Sequence, residues 1–270
     1  MKTTIFMVVR NVSQKQELFS RVLAQVIKLK NIDFYVVNHW STDNTKEYLE
    51  SFHKKNSDIT IQIINEKFEW TMDDTKARHY KHLLKSSTDL NSQFILLLDW
   101  DEVLDDNLVI EINNLDWSKD IYLINRHTYL IKNPIDRNSY LPLLFRIACV
   151  EVNTFSKFHN LYKIHSKNVA KLKWILHHYS YADIWELIQK SIYYSKWEAD
   201  SLFEKNQNIG NTEIFFRLSF ESCKYFIYML LYHRNFLHLE GWFICISWVV
   251  YIFYKYLYYL ELKLLISKRK

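Results

Sequence analysis

Apolar positions along this chain fall first into short runs and then, past the middle, into long helical stripes. Residues 5–9 are a short apolar run that predicts a strand, and Phe19, Val22, Leu23, Val26 and Ile27 follow at helical spacing on one face. Residues 34–37 predict a second strand, ending in Asn38 and a polar turn of residues 39–45. Ser41 or Thr42 can cap the helix that starts near residues 44–47. Ile59, Ile61 and Ile63 alternate and predict a third strand through Ile64. A helix is expected over residues 72–85, with Ala77, Tyr80 and Leu84 on one side and Asp74 and Arg78 as an i,i+4 pair. Residues 95–98 are apolar without a break and run straight into Asp99, Asp101 and Glu102, the pattern of a buried parallel strand ending in carboxylates. Strand–helix alternation up to residue 106 predicts a right-handed, mostly parallel sheet. Two or three further strands are expected over residues 121–147, with Asn133-Pro134 and Tyr140-Leu141-Pro142 as turns or edges.

After Lys173 the period changes. Ile184, Leu187, Ile188 and Ile192 mark an amphipathic helix beginning near Asp183. A second helix is expected over residues 212–232 and a third from about Gly241. The uncharged run of the third, residues 241–254, is shorter than the roughly 18 to 20 residues that span a bilayer, although passing Lys255 extends it to Leu260. Trp242, Trp248 and the tyrosines between 251 and 259 suit a helix lying at headgroup depth; an aromatic core or a dimer face is the competing reading. The division expected is an α/β domain over residues 1–175 and a helical region over 176–270.

Composition adds three constraints. A hydrophobic share of 49% and only two glycines and two prolines exclude a disordered or linker-rich chain. The net charge of +5 is modest, and its most local expression is Lys268, Arg269 and Lys270 after an apolar segment, which suits an anionic membrane surface and not a nucleic-acid groove. The three cysteines have no metal or redox spacing, which points to a reducing compartment, and the first ten residues carry no small-residue cleavage site and read as a strand.

Acids at the carboxyl end of a central strand point to chemistry, because ligands of open α/β sheets bind beyond those ends and carboxylates one residue apart can hold a divalent cation. A metal carrying a diphosphate is the natural guest. The bland alternative is a solvated acidic turn. LLLDWDEV also fits an aspartyl-phosphate phosphatase pattern, but that pattern normally opens its domain, and here three strand–helix units precede it.

In this order, VVRN at 8–11, VVNHWSTDNT at 36–45, WTMDDTKAR at 70–78, LLLDWDEVL at 96–104, LLFR at 143–146 and LHHYSYADI at 176–184 resemble the family 2 inverting glycosyltransferases of GT-A fold, and among them the bacterial lipopolysaccharide core glucosyltransferases. The resemblance covers nearly the whole chain. It implies a GT-A sheet with a membrane-associating helical extension, a UDP-sugar or other nucleotide-sugar donor, a lipid-linked glycan acceptor, no nucleic acid, and a place at the cytoplasmic face of the bacterial inner membrane. By the same resemblance Arg10, Asn38, Asp43, Asp74, Arg78 and Asp99 line the nucleotide-sugar pocket. Asp101 binds Mg²⁺ or Mn²⁺, His178 is a ligand of the same ion or a contact to the diphosphate, and Glu102 shapes the carboxylate cluster from behind.

Two departures stand out. Asn38 occupies the place of an aspartate that reads the uracil ring; an amide still donates and accepts, so an altered base preference is expected. His159-Asn160 falls where the family carries a His-Glu pair, and asparagine cannot take a proton from an acceptor hydroxyl. His159, Glu151 or Asp136 then remain as candidate bases, His165-Ser166 being no better. A degenerate homologue that binds nucleotide or membrane without turnover is the alternative these departures motivate.

Overall fold

The computed structural model describes residues 1–66, 82–86, 88–130, 133–152, 162–205, 209–232 and 239–267. Most of the helix expected over 72–85 lies outside them; residues 82–86 are helical.

The apolar runs become β1 (Thr3–Val9), β2 (Ile32–His39), β3 (Thr60–Glu66) and β4 (Phe94–Leu97). Between the first three lie α1 (Gln16–Val26), which turns Phe19, Val22, Leu23 and Val26 inward, and α2 (Thr45–Lys55). β1 pairs in parallel with β2 and with β4, and β2 with β3. Both faces of β1 and β2 are buried, which is why these strands read as continuous apolar runs instead of alternating ones. One face joins Phe6, Tyr35, Val37, Leu83, Leu90, Ile95, Ile121 and Phe145 in a single core cluster.

β5 (Glu102–Leu104) and α3 (Asp106–Asn113) follow, the helix capped by Asp105, whose Oδ1 accepts from the Asn107 amide at 2.8 Å. Then come β6 (Ile121–Leu130), β7 (Asn133–Arg146), β8 (Val150–Val152), β9 (Tyr162–Ile164) and β10 (Val169–Tyr181). The main sheet runs β3-β2-β1-β4-β7-β6-β10-β5, and β8 and β9 form a separate antiparallel pair. Its α/β class and its parallel first half are those expected. Pro134 and Pro142, expected at turns or edges, lie inside β7. Both lie outside the stretch, residues 144–146, that pairs with β4, so neither removes a donor from that ladder.

The chain forms two compact units, one of residues 1–127 and 137–178, the other of 128–136 and 179–270. In the second, α4 (Ile184–Lys205), α5 (Asn211–Tyr232) and α6 (Leu239–Ser267) bury Ala199, Ile209, Ile214, Ile252, Tyr256 and Tyr259 together. Residues 128–136 belong with this unit because Leu130 packs with Leu187, Ile244 and Cys245. Within it Lys255 is buried in the middle of α6 and bonds Glu221 of α5 at 2.5 Å and faces Glu198 of α4 at 3.7 Å.

Candidate active site at the carboxyl edge of the sheet

In the order β3-β2-β1-β4 the chain moves outward from β1 through β2 to β3 and then returns to the other side of β1. The crevice beyond the carboxyl ends of β1 and β4 is therefore a topological switch point, where open α/β sheets bind ligands. Leu98 extends the β1 pairing by donating its amide to the Phe6 carbonyl at 3.1 Å, and the chain then turns, the Glu102 amide donating to the Asp99 carbonyl at 3.0 Å. That turn delivers the acids to the crevice.

β5 pairs antiparallel with β10 in a register that sets His178 opposite Glu102. Asp99, Glu102 and His178 each offer a ligand atom, and these atoms lie within 4.8 Å of one another. Two carboxylates and an imidazole form a donor set that divalent Mn²⁺ accepts, the carboxylates alone suiting Mg²⁺. Asp101 is buried beside this group, its Oδ1 3.6 Å from His178 Nε2. The geometry thus draws Glu102 and Asp99 together with His178 and leaves Asp101 beside the histidine, outside the group of three.

Glu102 is only 2% exposed. Its Oε2 accepts from the Asp99 amide at 3.0 Å and its Oε1 lies 3.3 Å from Arg126 Nη1. Burial first, and then the negative charge of Asp99, push its carboxyl up to about 8, against the pull of that hydrogen bond and of Arg126. Desolvation pushes Asp99 upward as well, against Arg126. The Asp99 side chain keeps an exposed surface, whereas Glu102 is buried and its upward shift persists although Arg126 lies beside it. A cation in this cluster would add positive charge there, and the residues fit the metal that the sequence led us to expect.

The loops on the β1–β2 side are laced together. Asn11 donates its amide to Ser41 Oγ at 2.9 Å and accepts the Thr42 amide on Oδ1 at 2.8 Å. Asp43 takes the Ser13 amide at 3.0 Å and the Ser13 hydroxyl at 2.6 Å on Oδ2, and the Thr45 amide at 3.1 Å on Oδ1. Although desolvation opposes it, these bonds hold the Asp43 carboxyl below its ordinary range. Asp43, and neither Ser41 nor Thr42, is therefore the side chain that receives the first amide of α2, because Ser41 is turned back to Asn38. Asn38 is buried, donating to Asn65 Oδ1 at 2.8 Å and accepting from Ser41 at 2.6 Å. Burial first, and then the charge of Arg10 just past β1, lower the pKa of His39.

Of the remaining expected site residues, Asp74, Arg78, His159 and Asn160 lie outside the described residues. Glu151 falls on β8 opposite Lys163, and Ser166 is engaged by Asp120 at 2.8 Å. The residue that sequence reasoning missed is Arg126. A charged side chain in the middle of a ten-residue strand was a signal, yet nothing in the sequence ties it to Glu102.

No protein-family model matches this chain, and no curated protein matches it in sequence. Among solved structures it is similar to S. aureus TarS 1–349 in complex with UDP, with 12% identity over 97% of this chain and 91% of the other and a TM-score of 0.48. It is similar also to the mannosyltransferase PcManGT from Pyrobaculum calidifontis in complex with GDP-Man and Mn²⁺, with 10% identity over 92% and 73% of the two chains and a TM-score of 0.49. A longer TarS structure is matched over 41% of its length, with 12% identity and a TM-score of 0.47. At these values the likenesses have no bearing on function.

Proposed function

We propose that this chain is a metal-dependent, inverting glycosyltransferase that moves a hexose from a nucleotide sugar, a UDP-sugar in the first instance, to a lipid-linked glycan such as a lipopolysaccharide or lipooligosaccharide core. The observation that carries the reading is the Asp99–Glu102–His178 cluster beyond the carboxyl end of β4, in the parallel half of the sheet where the strand order switches. Its support is the ordered set of sequence pieces described above.

In this reading Asp99, Glu102 and His178 hold Mn²⁺ or Mg²⁺, and the ion when bound acts as a Lewis acid on the departing diphosphate. Asp101 keeps the His178 ring turned toward the cluster. Arg126 offsets the charge of Glu102, and so keeps three acids in one small space from repelling one another apart. The laced loops at 11–13 and 41–45 hold the sheet edge in a fixed shape for the nucleoside. The base that takes the acceptor hydroxyl's proton is one of His159, Glu151 and Asp136.

A peripheral place on the cytoplasmic face of the bacterial inner membrane completes the proposal. α6 contains one stretch long and apolar enough to cross a bilayer, Trp242–Leu265. Lys255 lies in that stretch, and its partners sit on α4 and α5, so a crossing α6 would take a carboxylate-paired lysine to the bilayer centre. An in-plane helix avoids that cost. Trp242, Ile246, Val249, Phe253, Leu257 and Leu264 are all exposed at helical spacing, an apolar stripe that a lipid surface would cover.

The test is a calorimetric titration with UDP-, GDP-, dTDP- and CMP-sugars, with and without Mn²⁺. Metal-dependent binding of one donor, and release of its nucleoside diphosphate when a lipid-linked glycan is added, is the expected result. Absence of any response to all four donors would defeat the proposal.

A further inference from the structure

We infer that Arg126 reads an acidic group, a phosphate or a carboxylate, carried by the acceptor, so that the glycan this site extends is an anionic one; the inference rests on the glycosyltransferase reading. Arg126 reaches Glu102 with one corner of its guanidinium only, Nη1 lying 3.3 Å from Oε1, which is long for a bond between charged groups. Its Nε–H is buried and has no partner among the described residues. The side chain as a whole is 26% exposed, so the guanidinium runs from a dry end to a surface that a solute can reach.

Two other arginines show how this fold builds a purely structural pair. Arg146 gives its Nε–H to Asp120 at 3.0 Å, and its guanidinium covers the Phe94 ring at 4.7 Å. Arg217 gives Nε and Nη2 together to Glu213 Oε1, at 3.0 and 2.7 Å. Both use the Nε side of the guanidinium, where two parallel N–H groups match an oxyanion. Arg126 holds that side back. A buried donor left unpaired is destabilising, and Glu102 receives a single long bond, so the pair is poor as a structural device and complete only with a second oxyanion.

Geometry separates that oxyanion from the departing diphosphate. The guanidinium is planar and trigonal, so its Nε–Nη2 edge faces directly away from Nη1, and hence away from Glu102 and from a cation held there. An oxyanion on this edge has its centre roughly 8 Å from the Glu102 carboxylate, whereas a phosphate bound to the cation lies within roughly 5 Å of it. Arg126 also comes from β6, which stands three strands from β1, roughly 14 Å along the sheet from the loops assigned to the nucleoside. The second substrate is therefore the one that brings the charge.

The experiment titrates glucose 6-phosphate, glucuronic acid and glucose, by calorimetry, into protein loaded with Mn²⁺ and UDP, or with GDP where UDP does not bind; the proteins are the wild type, Arg126→Gln and Arg126→Lys. The wild type should bind the two acidic sugars at least about tenfold more tightly than glucose, and excess inorganic phosphate should remove the difference. Arg126→Gln should bind all three alike. Arg126→Lys, which keeps the charge and loses the fork, should recover only part of the preference. Mn²⁺ and nucleotide should still load both variants, because the cation's own ligands are untouched. Acidic sugars that fail to outbind glucose in the wild type, or a preference that survives in Arg126→Gln, overturn the inference. So do acidic sugars that displace the nucleotide, since the edge would then belong to the donor's diphosphate. The wild-type titrations decide the matter alone should Arg126→Gln fail to fold. If the wild type takes up Mn²⁺ but neither nucleotide, the glycosyltransferase reading fails and this inference with it.

Discussion

Glu102→Gln separates the stability of the sheet edge from its use. The substitution keeps the shape and an oxygen that accepts from the Asp99 amide, and removes only the charge. Burial and Asp99 raise the Glu102 pKa from 4.5 to about 8. A buried acid with a raised pKa holds its proton more tightly in the folded than in the unfolded chain. Stability is therefore full below pH 4.5 and is lost as pH rises from there toward 8. With about 1.4 kcal/mol for each tenfold change in proton affinity, the wild type gives up on the order of 4 kcal/mol across that window, and Glu102→Gln gives up none of it. Thermal melts of metal-free protein between pH 5 and pH 9 should show the two proteins alike at pH 5 and the variant markedly more stable at pH 9. Mn²⁺ should invert the order at pH 8 to 9, because only the wild type offers the second carboxylate. Parallel melting curves for the two proteins across the whole range, with and without Mn²⁺, would refute the view that Glu102 is a charge waiting for a cation.

Asp101→Ala should leave the melting temperature within a few degrees of the wild type and lower Mn²⁺ affinity about 10- to 100-fold by freeing the His178 ring; wild-type Mn²⁺ affinity in a metal titration would remove Asp101 from the site. Asp43→Asn should destabilise the fold by about 2 kcal/mol in denaturant melts at neutral pH, through the bonds to Ser13 and Thr45. Because the Asp43 pKa is depressed, that contribution is present above the unfolded value near 3.8 and is lost as pH falls through the lower folded value, so the two proteins should converge in strong acid. Replacing Ile246, Phe253 and Leu257 together by serine should abolish co-sedimentation with anionic vesicles and leave the far-ultraviolet circular dichroism unchanged, since all three are exposed on α6; undiminished sedimentation would point to another surface.

The sequence by itself determined the run of elements. Strands buried on both faces must be apolar throughout, and residues 34–37 and 95–98 could hardly be anything else once flanked by amphipathic helices. It also determined that acids end the central strand, because Asp99 to Glu102 directly continue that apolar run. Asp101 belongs to that same run of acids, whereas His178 emerged only through resemblance. What the tertiary structure decided is which of these groups meet. The antiparallel register of β5 on β10 sets His178 opposite Glu102, 76 positions away, and strand pairing at such separation leaves no local trace. The same holds for Arg126 on β6 and for the two prolines that β7 accommodates outside its pairing with β4. Side-chain saturation was equally invisible. Asn38 and Asp43 read as ligand groups by position, yet Asn65, Ser13 and Ser41 claim their hydrogen bonds, and only folding brings those partners within reach. In the helical unit the period of α6 was legible, but the burial of Lys255 between Glu198 and Glu221 was not, because the face a helix turns inward depends on which neighbours can neutralise it.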